Sequence, residues 1–567
     1  MGSRAFATYL LVAAVLSALV ALPFRLPPDH PLNLLSFSIE AVAALALLAL
    51  VPALRERPAA RHAAAALMAL ICFVALGDLM TRLALSRPLN LALDLRLLPS
   101  VADLALGGLG PALGMLALLV VGLLPVLAYG LTLAAGAAVQ RLGRHTGGRI
   151  AAVTAVLLVG GLHLVQEQSP GLFHRFWPSS VDAGRTLTAQ WQQYREVRAS
   201  APLFRAAGQQ DALAVIPPDK LLAGLDGADV MVAFVESYGE STLSLPAFRP
   251  TMQRRLDSFA RTVEQSGLHA MSGWIVSATS GGQSWLAHST LLSGMLIDSQ
   301  FRYDLLVGSE RRTLAHYFAK AGYRTVDIQP AIVKPWPAGD FFGFDAIYQA
   351  GDLGYEGSPF GWVTMPDQFT LSRLQALERA APAGEAPGRA PLFAHLALIS
   401  SHAPFTPLAP ILPDWSALGD GSAFDAVEQI GQPSEDVWRD IGLLRDHYIR
   451  AIDYSLTALE GYAARHVDDR TLLVVLGDHQ PLPMLAGKDA GQAVPVHVLS
   501  GDPALLKPFA ELGFVRGMAP RPDGSRLKME AFRDFFVASF SDIDRPLLAE
   551  RKPAPLADGL DAKTRSN

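Results

Sequence analysis

Long apolar segments alternate with short charged ones over roughly the first 170 residues of the chain. A segment of about 20 mostly apolar residues is long enough to cross the hydrocarbon core of a bilayer as a helix. The pattern predicts five such spans, at residues 7–24, 34–54, 62–85, 111–138 and 150–167. The rest of the chain contains no comparable segment. The sequence therefore predicts a helical transmembrane domain over residues 1–168.

Positive charge between the predicted spans indicates their orientation, because Lys and Arg accumulate in cytoplasmic loops. Arginines precede the first span and separate the second from the third and the fourth from the fifth; they are Arg4, Arg55, Arg57, Arg61, Arg141, Arg144 and Arg149. The N-terminus is therefore expected in the cytoplasm. An odd number of spans then places the chain after residue 170 outside the cytoplasm.

Aromatic residues stand among Arg and Gln after the last predicted span. They are Phe173, Phe176, Trp177, Trp191 and Tyr194. Such side chains suit a helix at the membrane surface, although a linker helix packed on the next domain would show the same pattern. We predict a juxtamembrane interfacial linker over residues 169–226.

Short β-rich segments alternate with helical stretches from about residue 227. The strand candidates are residues 230–235, 274–277, 324–328, 392–399, 472–476 and 494–499. This alternation is typical of a layered α/β domain with a central, mostly parallel sheet. We predict that the domain covers residues 227–550 and that residues 551–567 form a disordered tail.

Composition narrows the classes of protein and site. With 51% hydrophobic residues and a mean hydropathy of +0.27, the 567-residue chain is too apolar for an ordinary soluble protein. A net charge of -5 without a basic run argues against a nucleic-acid partner. The one cysteine, Cys72, lies in a predicted span, so neither an internal disulfide nor a thiolate metal cluster can form. A metal site must use oxygen and nitrogen ligands.

Side chains with catalytic or metal-binding chemistry follow three of the predicted strands. Glu236 follows the first strand, Thr279 and Ser280 follow the second, and Asp478 with His479 follows the fifth. Ligands of such sheets bind where the strands end at their carboxyl edge, so these residues are expected to lie together. Their carboxylate, hydroxyl and imidazole groups could form the ligand shell of a divalent metal.

These motifs resemble the membrane-bound branch of the alkaline phosphatase and sulfatase superfamily, which includes lipoteichoic acid synthase, glucan phosphoglycerol transferases and lipid A phosphoethanolamine transferases. The matching motifs are Glu236, Thr279, Gly477-Asp478-His479, His402 in Ser-Ser-His-Ala-Pro-Phe, Phe342-Gly343-Phe344-Asp345, Pro366-Asp367 and Val494-Pro495-Val496-His497. The resemblance covers nearly the full length. It implies a multi-pass protein of the bacterial inner membrane with a sulfatase-like domain in the periplasm or outside the cell.

The resemblance also implies roles for individual residues. Glu236, Asp478 and His479 would bind zinc or manganese, and Thr279 would be the nucleophile at that metal. Ser280 and Ser284 are rival hydroxyls that could equally bind substrate or cap a helix. His402 would contact the substrate and donate to a phosphate oxygen or protonate the leaving group.

Two further residues are candidates for the substrate pocket. Trp285 could flank the pocket, although a large aromatic on a helix is more often part of the core. His497 could line the pocket or join a second metal site. His288 could simply pack behind the helix that carries the nucleophile.

The expected reaction is phosphoryl transfer rather than sulfate-ester hydrolysis, because the formylglycine that such sulfatases need has no matching Cys or Ser motif here. Thr279 would take the head group of a membrane phospholipid and release diacylglycerol; an envelope glycan or lipid acceptor would then remove it. Phosphoethanolamine transferases of this branch commonly carry disulfides, so phosphoglycerol is the favoured group. A hydrolase that uses water, such as a phosphodiesterase or phosphatase, and a non-catalytic envelope protein are the alternatives.

One position departs from the family pattern. In Ile452-Asp453-Tyr454-Ser455, a serine stands where an aspartate is usual. This puts the details of the helix before the Asp-His strand in doubt and leaves the metal site unaffected.

Overall fold

The computed structural model describes residues 2–21, 37–85, 88–95, 106, 111–169, 179–380, 389–487 and 490–543. The chain divides into two compact units, Met1–Arg198 and Ala199–Asn567, with a boundary inside the predicted linker. The predicted tail lies outside the described residues, as do Phe173, Phe176 and Trp177.

The first unit is built from helices. They are α1 (Gly2–Ala21), α2 (Ile39–Leu50), α3 (Pro58–Leu85), α4 (Pro111–Gly143), α5 (Thr146–Gln168) and the start of α6 (Asp182–Gln209), with short helices at Pro52–Arg55 and Leu91–Asp94. Among the described residues, three helical segments are long and apolar enough to cross a membrane, namely Pro58–Arg82, Gly114–Gly143 and Thr146–Gln168. Helix α2, with 12 residues, is shorter than the span predicted there. The helices support a membrane anchor, and the count of five spans stays a prediction.

Small residues let these helices pack closely, as is common between membrane helices. Ala13, Ala49 and Ala152 are fully buried, and a Cβ atom at Gly143 would lie 2.4 Å from the carbonyl oxygen of Ala49. In contrast, Leu157 on α5 is 70% exposed. Exposed leucines on long apolar helices are the side chains expected to face lipid.

The second unit contains the predicted α/β domain. Its strands are β1 (Asp229–Val235), β2 (His269–Val276), β3 (Arg324–Gln329), β4 (Ala346–Gln349), β5 (Leu392–Leu398), β6 (Thr471–Gly477), β7 (Ala493–Ser500), β8 (Val515–Arg516) and β9 (Arg526–Lys528). They form one nine-stranded sheet in the order β8-β2-β7-β6-β1-β5-β3-β4, with β9 beside β2. The five strands from β6 to β4 are parallel, whereas β7 runs antiparallel to both its neighbours. The predicted mostly parallel sheet is confirmed.

Helices cover both faces of this sheet. The longer ones are α7 (Arg249–Gln265), α8 (Ser284–Ser293), α9 (Gln300–Val307), α10 (Leu314–Lys320), α11 (Asp367–Leu374), α12 (Ile441–His466) and α13 (Phe532–Phe540). Successive residues of β1 point to opposite faces, and all seven are buried. Met231 and Val235 pack in the core that includes α7, α11 and α12, while Val232 and Phe234 pack in the core that includes α8, α10 and α13. This double coverage explains the continuous apolar strands.

Candidate metal and catalytic site

The register of two central strands brings the two candidate carboxylates together. Val235 on β1 pairs with Gly477 on β6, so Glu236 and Asp478 leave the sheet side by side. Both follow parallel strands at the carboxyl edge, where ligands bind in sheets of this type. The next residue, His479, completes the set that the sequence predicted.

These three side chains form a compact, buried group. Glu236 is 8% exposed, and Asp478 and His479 are each 1% exposed. His479 Nε2 lies 3.3 Å from Glu236 Oε1 and 3.6 Å from Asp478 Oδ2. One ligand atom from each residue lies within 4.8 Å of the other two. Two carboxylates and one imidazole at this spacing fit a divalent transition metal such as zinc or manganese.

Hydrogen bonds from the surrounding backbone orient the ligands. The N–H groups of Ser237 and His479 donate to Asp478 Oδ1 at 2.7 and 2.6 Å. His479 Nδ1 donates to the carbonyl oxygen of Gln480 at 2.8 Å. Since a carbonyl oxygen only accepts, the proton of the neutral ring sits on Nδ1, and Nε2 is left to bind a metal.

The charges of the group favour a cation. Burial, reinforced by the Glu236 carboxylate, raises the pKa of Asp478 to about 8. Burial disfavours a charged imidazole, but the two carboxylates outweigh this effect and raise the pKa of His479 to about 9. Burial would also raise the pKa of Glu236, yet the neighbouring His479 holds it below its usual range. The raised pKa values show that two bare carboxylates are costly in this buried place; a divalent cation that displaced the protons would neutralise them instead.

Of the hydroxyls that the sequence singled out, Ser284 is hydrogen-bonded to this group; the Ser237 hydroxyl also donates to Glu236 Oε1, at 2.9 Å. Ser284 Oγ donates to Glu236 Oε2 at 2.8 Å and lies 3.1 Å from His479 Nε2. It is the first residue of α8, and the positive φ angles of Gly281, Gly282 and Gln283 turn the chain just before it. A left-handed conformation costs a non-glycine residue such as Gln283 about 1–2 kcal/mol. Strain of this kind is typical of functional sites.

The Thr279 hydroxyl, the predicted nucleophile and metal ligand, is hydrogen-bonded within its own loop. Thr279 Oγ1 donates to the carbonyl oxygen of Gly282 at 2.7 Å and so braces the loop before α8. Ser280 lies in the same loop, where it forms an isolated β-bridge with Gln480. The loop fold therefore turns the threonine toward its own backbone and presents Ser284 instead.

His402, predicted to contact the substrate, interacts electrostatically with Glu236. It follows β5, and its charge contributes to lowering the pKa of Glu236. Its Nδ1 donates to the carbonyl oxygen of Ala403 at 2.5 Å, and its ring stacks on Trp362 with the ring centroids 3.8 Å apart. Sequence reasoning missed Trp362, because nothing local to that residue indicates a histidine 40 positions away.

The family departure at Ser455 has a structural explanation. Ser455 Oγ donates to Asp367 Oδ2 at 2.6 Å. The other carboxylate oxygen of Asp367 accepts the backbone N–H groups of Ile399 and Ser400 at 2.7 and 2.9 Å. The serine thus holds the aspartate that fixes the start of the loop leading to His402.

The remaining predicted residues occupy different environments. Trp285 is 38% exposed next to Ser284, and its indole N–H donates to Gln300 Oε1 at 3.0 Å. His288, one turn further along α8, stacks on Phe234 in the core behind the site.

His497, predicted to line the pocket or join a second metal site, is instead completely buried on β7. Ser272 Oγ donates to the carbonyl oxygen of Gly517 at 2.7 Å, so it accepts from His497 Nδ1 at 2.9 Å. Nε2 then accepts from the Tyr238 hydroxyl at 3.1 Å. Both ring nitrogens are used within the protein, which corrects the expectation of a ligand contact.

We expect His497 to make stability depend on pH. Burial lowers its pKa to about 3, so the folded protein keeps it neutral while the unfolded chain binds a proton below about pH 6.5. The contribution of the neutral His497 ring to the free energy of unfolding is complete above pH 6.5. Below that pH it falls by about 1.4 kcal/mol per pH unit, until about pH 3. Denaturant unfolding of the wild type and of His497→Gln in detergent would measure this effect. The free energy of unfolding of the wild type should exceed that of His497→Gln by less at pH 5 than at pH 7. A difference that stays constant over this range would contradict a neutral, buried His497.

Solved structures are similar to this chain, and one of them is a protein in the alkaline phosphatase superfamily from Vibrio parahaemolyticus, the superfamily that the motifs resemble. No protein-family model matches the sequence, and no curated protein matches it. The similar structures include enzymes that transfer phosphoglycerol or phosphoethanolamine.

Three of these structures illustrate the similarity. Lipoteichoic acid synthase LtaP from Listeria monocytogenes is 14% identical, with 53% of this chain and 71% of that chain covered and a TM-score of 0.35. Phosphoglycerol transferase GacH from Streptococcus pyogenes is 12% identical, with 62% of this chain and 83% of that chain covered and a TM-score of 0.36. The soluble domain of lipooligosaccharide phosphoethanolamine transferase A from Neisseria meningitidis is 11% identical, with 57% of this chain and 92% of that chain covered and a TM-score of 0.36.

Proposed function

We propose that the protein is a metal-dependent phosphotransferase that moves a phospholipid head group, with phosphoglycerol favoured, to an envelope glycan or lipid acceptor. The observation that carries this proposal is the Ser284 hydroxyl. It stands at the N-terminus of α8, 2.8 Å from Glu236 Oε2 and 3.1 Å from His479 Nε2. A hydroxyl between metal ligands at a helix N-terminus can attack phosphorus and then hold the phosphoryl group.

Glu236, Asp478 and His479 are the residues that would hold the metal. A bound divalent cation supplies a positive charge that stabilises the phosphoryl oxygens and favours the ionised form of the attacking hydroxyl. The protein contributes a fixed ligand geometry, since Asp478 and His479 are each hydrogen-bonded on the side away from the site.

The reaction proceeds in two balanced halves. The Ser284 hydroxyl gives up its proton to solvent beforehand, because a bound cation would favour its ionised form. In the first half, Ser284 Oγ bonds to phosphorus, the bond from phosphorus to the diacylglycerol oxygen breaks, and His402 protonates that oxygen. In the second half, the acceptor hydroxyl gives its proton to His402 and its oxygen bonds to phosphorus, while the bond from phosphorus to Ser284 Oγ breaks and leaves the ionised serine. The head group ends on the acceptor, and the enzyme returns to its starting state.

Two features support the proposed donor: the first bears on its being a membrane lipid, and the second bears on its head group. The first unit contains three helices long and apolar enough to cross a membrane, so the chain and a phospholipid would share the same bilayer. The second unit contains no cysteine, since the single Cys72 lies in α3. The lack of disulfides favours phosphoglycerol over phosphoethanolamine as the transferred group.

Product analysis tests the proposal. Detergent-purified protein is incubated with fluorescent phosphatidylglycerol or phosphatidylethanolamine and with manganese or zinc, and diacylglycerol release is followed. Release from phosphatidylglycerol is expected. Transfer to an added glycan would identify a transferase, whereas free glycerol phosphate in the presence of glycan would identify a hydrolase. No release from either lipid by metal-loaded protein would contradict the proposal.

We expect Trp362 to set the rate through its stack on His402. Trp362→Leu removes the ring that fixes the imidazole plane, so kcat should fall about 10- to 100-fold while KM changes little. Trp362→Phe keeps an aromatic face and should restore most of the rate. Trp415→Leu removes another partly buried indole from the same core and serves as the control. Equal losses in Trp362→Leu and Trp415→Leu would indicate a merely structural role.

A further inference from the structure

The first half of α6 is hydrogen-bonded to the segment that follows α3. Gln190 accepts from the backbone N–H of Leu91 at 2.7 Å and donates to the carbonyl oxygen of Leu89 at 2.5 Å. Asp78, near the end of α3, accepts from the backbone N–H of Leu89 at 2.9 Å. Both helices therefore hold the same short segment, which fixes the middle of α6 beside the end of a candidate membrane span.

The start of α6 is fixed in a similar way. Glu40, in the first turn of α2, accepts from the backbone N–H of Gly184 at 2.9 Å. Ala183 is buried against Met68 and Ile71 of α3. These contacts all lie within the first unit; Glu40 attaches α6 to the start of α2, whereas Met68 and Ile71 lie in the middle of α3.

The side of α6 that begins with buried Ala183 continues as an exposed apolar stripe, which consists of Leu187, Trp191 and Tyr194. The exposed fractions of these side chains are 40%, 61% and 39%. Their spacing of four and then three residues places them on one side of the helix. The Trp191 and Tyr194 rings stack with centroids 5.8 Å apart, and Arg198 donates to the Tyr194 hydroxyl at 3.1 Å.

The residue after each member of the stripe is polar and exposed. These residues are Thr188, Gln192 and Arg195. One residue along a helix is a rotation of about 100°, so the helix has adjacent apolar and polar sides. The apolar side combines Trp and Tyr, which are enriched where hydrocarbon meets lipid head groups, and Arg198 lies beside it. An arginine in this position can pair with lipid phosphate.

We infer that the stripe of α6 inserts into the head-group layer of the bilayer that the apolar helices cross. Continuity with those helices argues for lipid as the occupant, because the hydrogen bonds of Glu40 and Gln190 hold α6 at their ends. The Trp and Tyr side chains of the stripe also suit the depth at which hydrocarbon meets the lipid head groups. The inference does not depend on the proposed catalysis. It gives residues 182–198 the function of attaching the first unit to the head-group layer.

Site-directed spin labelling tests this inference on the full chain. In a Cys72→Ala background, single cysteines replace Leu187, Trp191 or Tyr194, and matched controls replace Thr188, Gln192 or Arg195. The labelled proteins are reconstituted into vesicles of phosphatidylcholine and phosphatidylglycerol, and nitroxide accessibility to oxygen and to a water-soluble nickel chelate is measured. Stripe positions should favour oxygen severalfold over nickel, and their neighbours should show the reverse preference.

Two results would overturn the inference. Nickel accessibility at the stripe equal to that of the controls would place the stripe in water. Immobilised labels shielded from both reagents would place it against protein, either the second unit or another copy of the chain. Spin-spin broadening that disappears on dilution with unlabelled protein identifies another copy. Quenching of tryptophan fluorescence by lipids with a shallow doxyl group, compared between wild type and Trp191→Phe, gives a second reading without labels; equal quenching would also contradict insertion.

Discussion

Replacing Ser284 with alanine should lower the rate of diacylglycerol release by about 10⁴-fold or more, because it removes the proposed nucleophile while the lipid can still bind. Ser284→Thr keeps a hydroxyl at the start of α8 and should retain measurable activity. Release is measured with fluorescent phosphatidylglycerol at saturating metal. Metal content and thermal stability are determined in parallel, so that a folding defect is recognised.

The matched control for this experiment is Thr279→Val. Valine has nearly the same shape as threonine but cannot donate to the carbonyl oxygen of Gly282, so we expect a loss of about 1 kcal/mol in stability and a modest loss of rate. Mass spectrometry of acid-quenched enzyme should find the phosphoryl adduct on Ser284. An adduct on Thr279, or an active Ser284→Ala with an inactive Thr279→Val, would show that the threonine is the nucleophile.

Removing one carboxylate from the metal-binding group should abolish metal binding at micromolar concentration. In Asp478→Asn, the amide oxygen can still accept the N–H groups of Ser237 and His479, so the fold should persist while the charged ligand is lost. Changes to groups that only support a ligand lower metal affinity about 10- to 100-fold, so loss of a ligand should exceed about 100-fold. Binding of zinc and manganese is measured by calorimetry and by the metal content of dialysed protein.

Asp453→Asn provides the control for that measurement. Asp453 lies on α12 in an ion pair with Arg255, with Asp453 Oδ1 2.7 Å from Arg255 Nε. The substitution also removes one negative charge, but not from the site, so metal affinity should stay within about twofold of wild type. Undiminished binding in Asp478→Asn would refute the assignment of the metal site, whereas equal losses in both variants would indicate a general effect of charge.

Much of the fold is predictable because its signals are local. Apolar segments such as the one in α3 indicate candidate spans by length alone. Continuous apolar runs such as β1 and β6 indicate strands covered on both faces. The short strands β4, β8 and β9 escaped prediction, because two to four residues carry little periodicity and acquire their structure by pairing with a neighbour.

The sequence by itself determined the proposed metal ligands, since Glu236 and Asp478 directly follow apolar strands, and parallel strands deliver such residues to one edge. Only the tertiary structure decided which hydroxyl faces them. The backbone N–H of Gly281 donates to the carbonyl oxygen of Gln480 at 2.9 Å, a contact between residues far apart in the chain, and this contact helps fix the loop before Ser284.

The same reason explains His497 and His402. A histidine in a strand can face a ligand or the interior, and its partners Tyr238 and Ser272 belong to other parts of the chain. Likewise, Trp362 meets His402 only after the loops that carry them have folded. Residue type and strand position can be recognised from the local sequence. The direction of a loop side chain, in contrast, depends on long-range hydrogen bonds and packing that exist only in the folded protein.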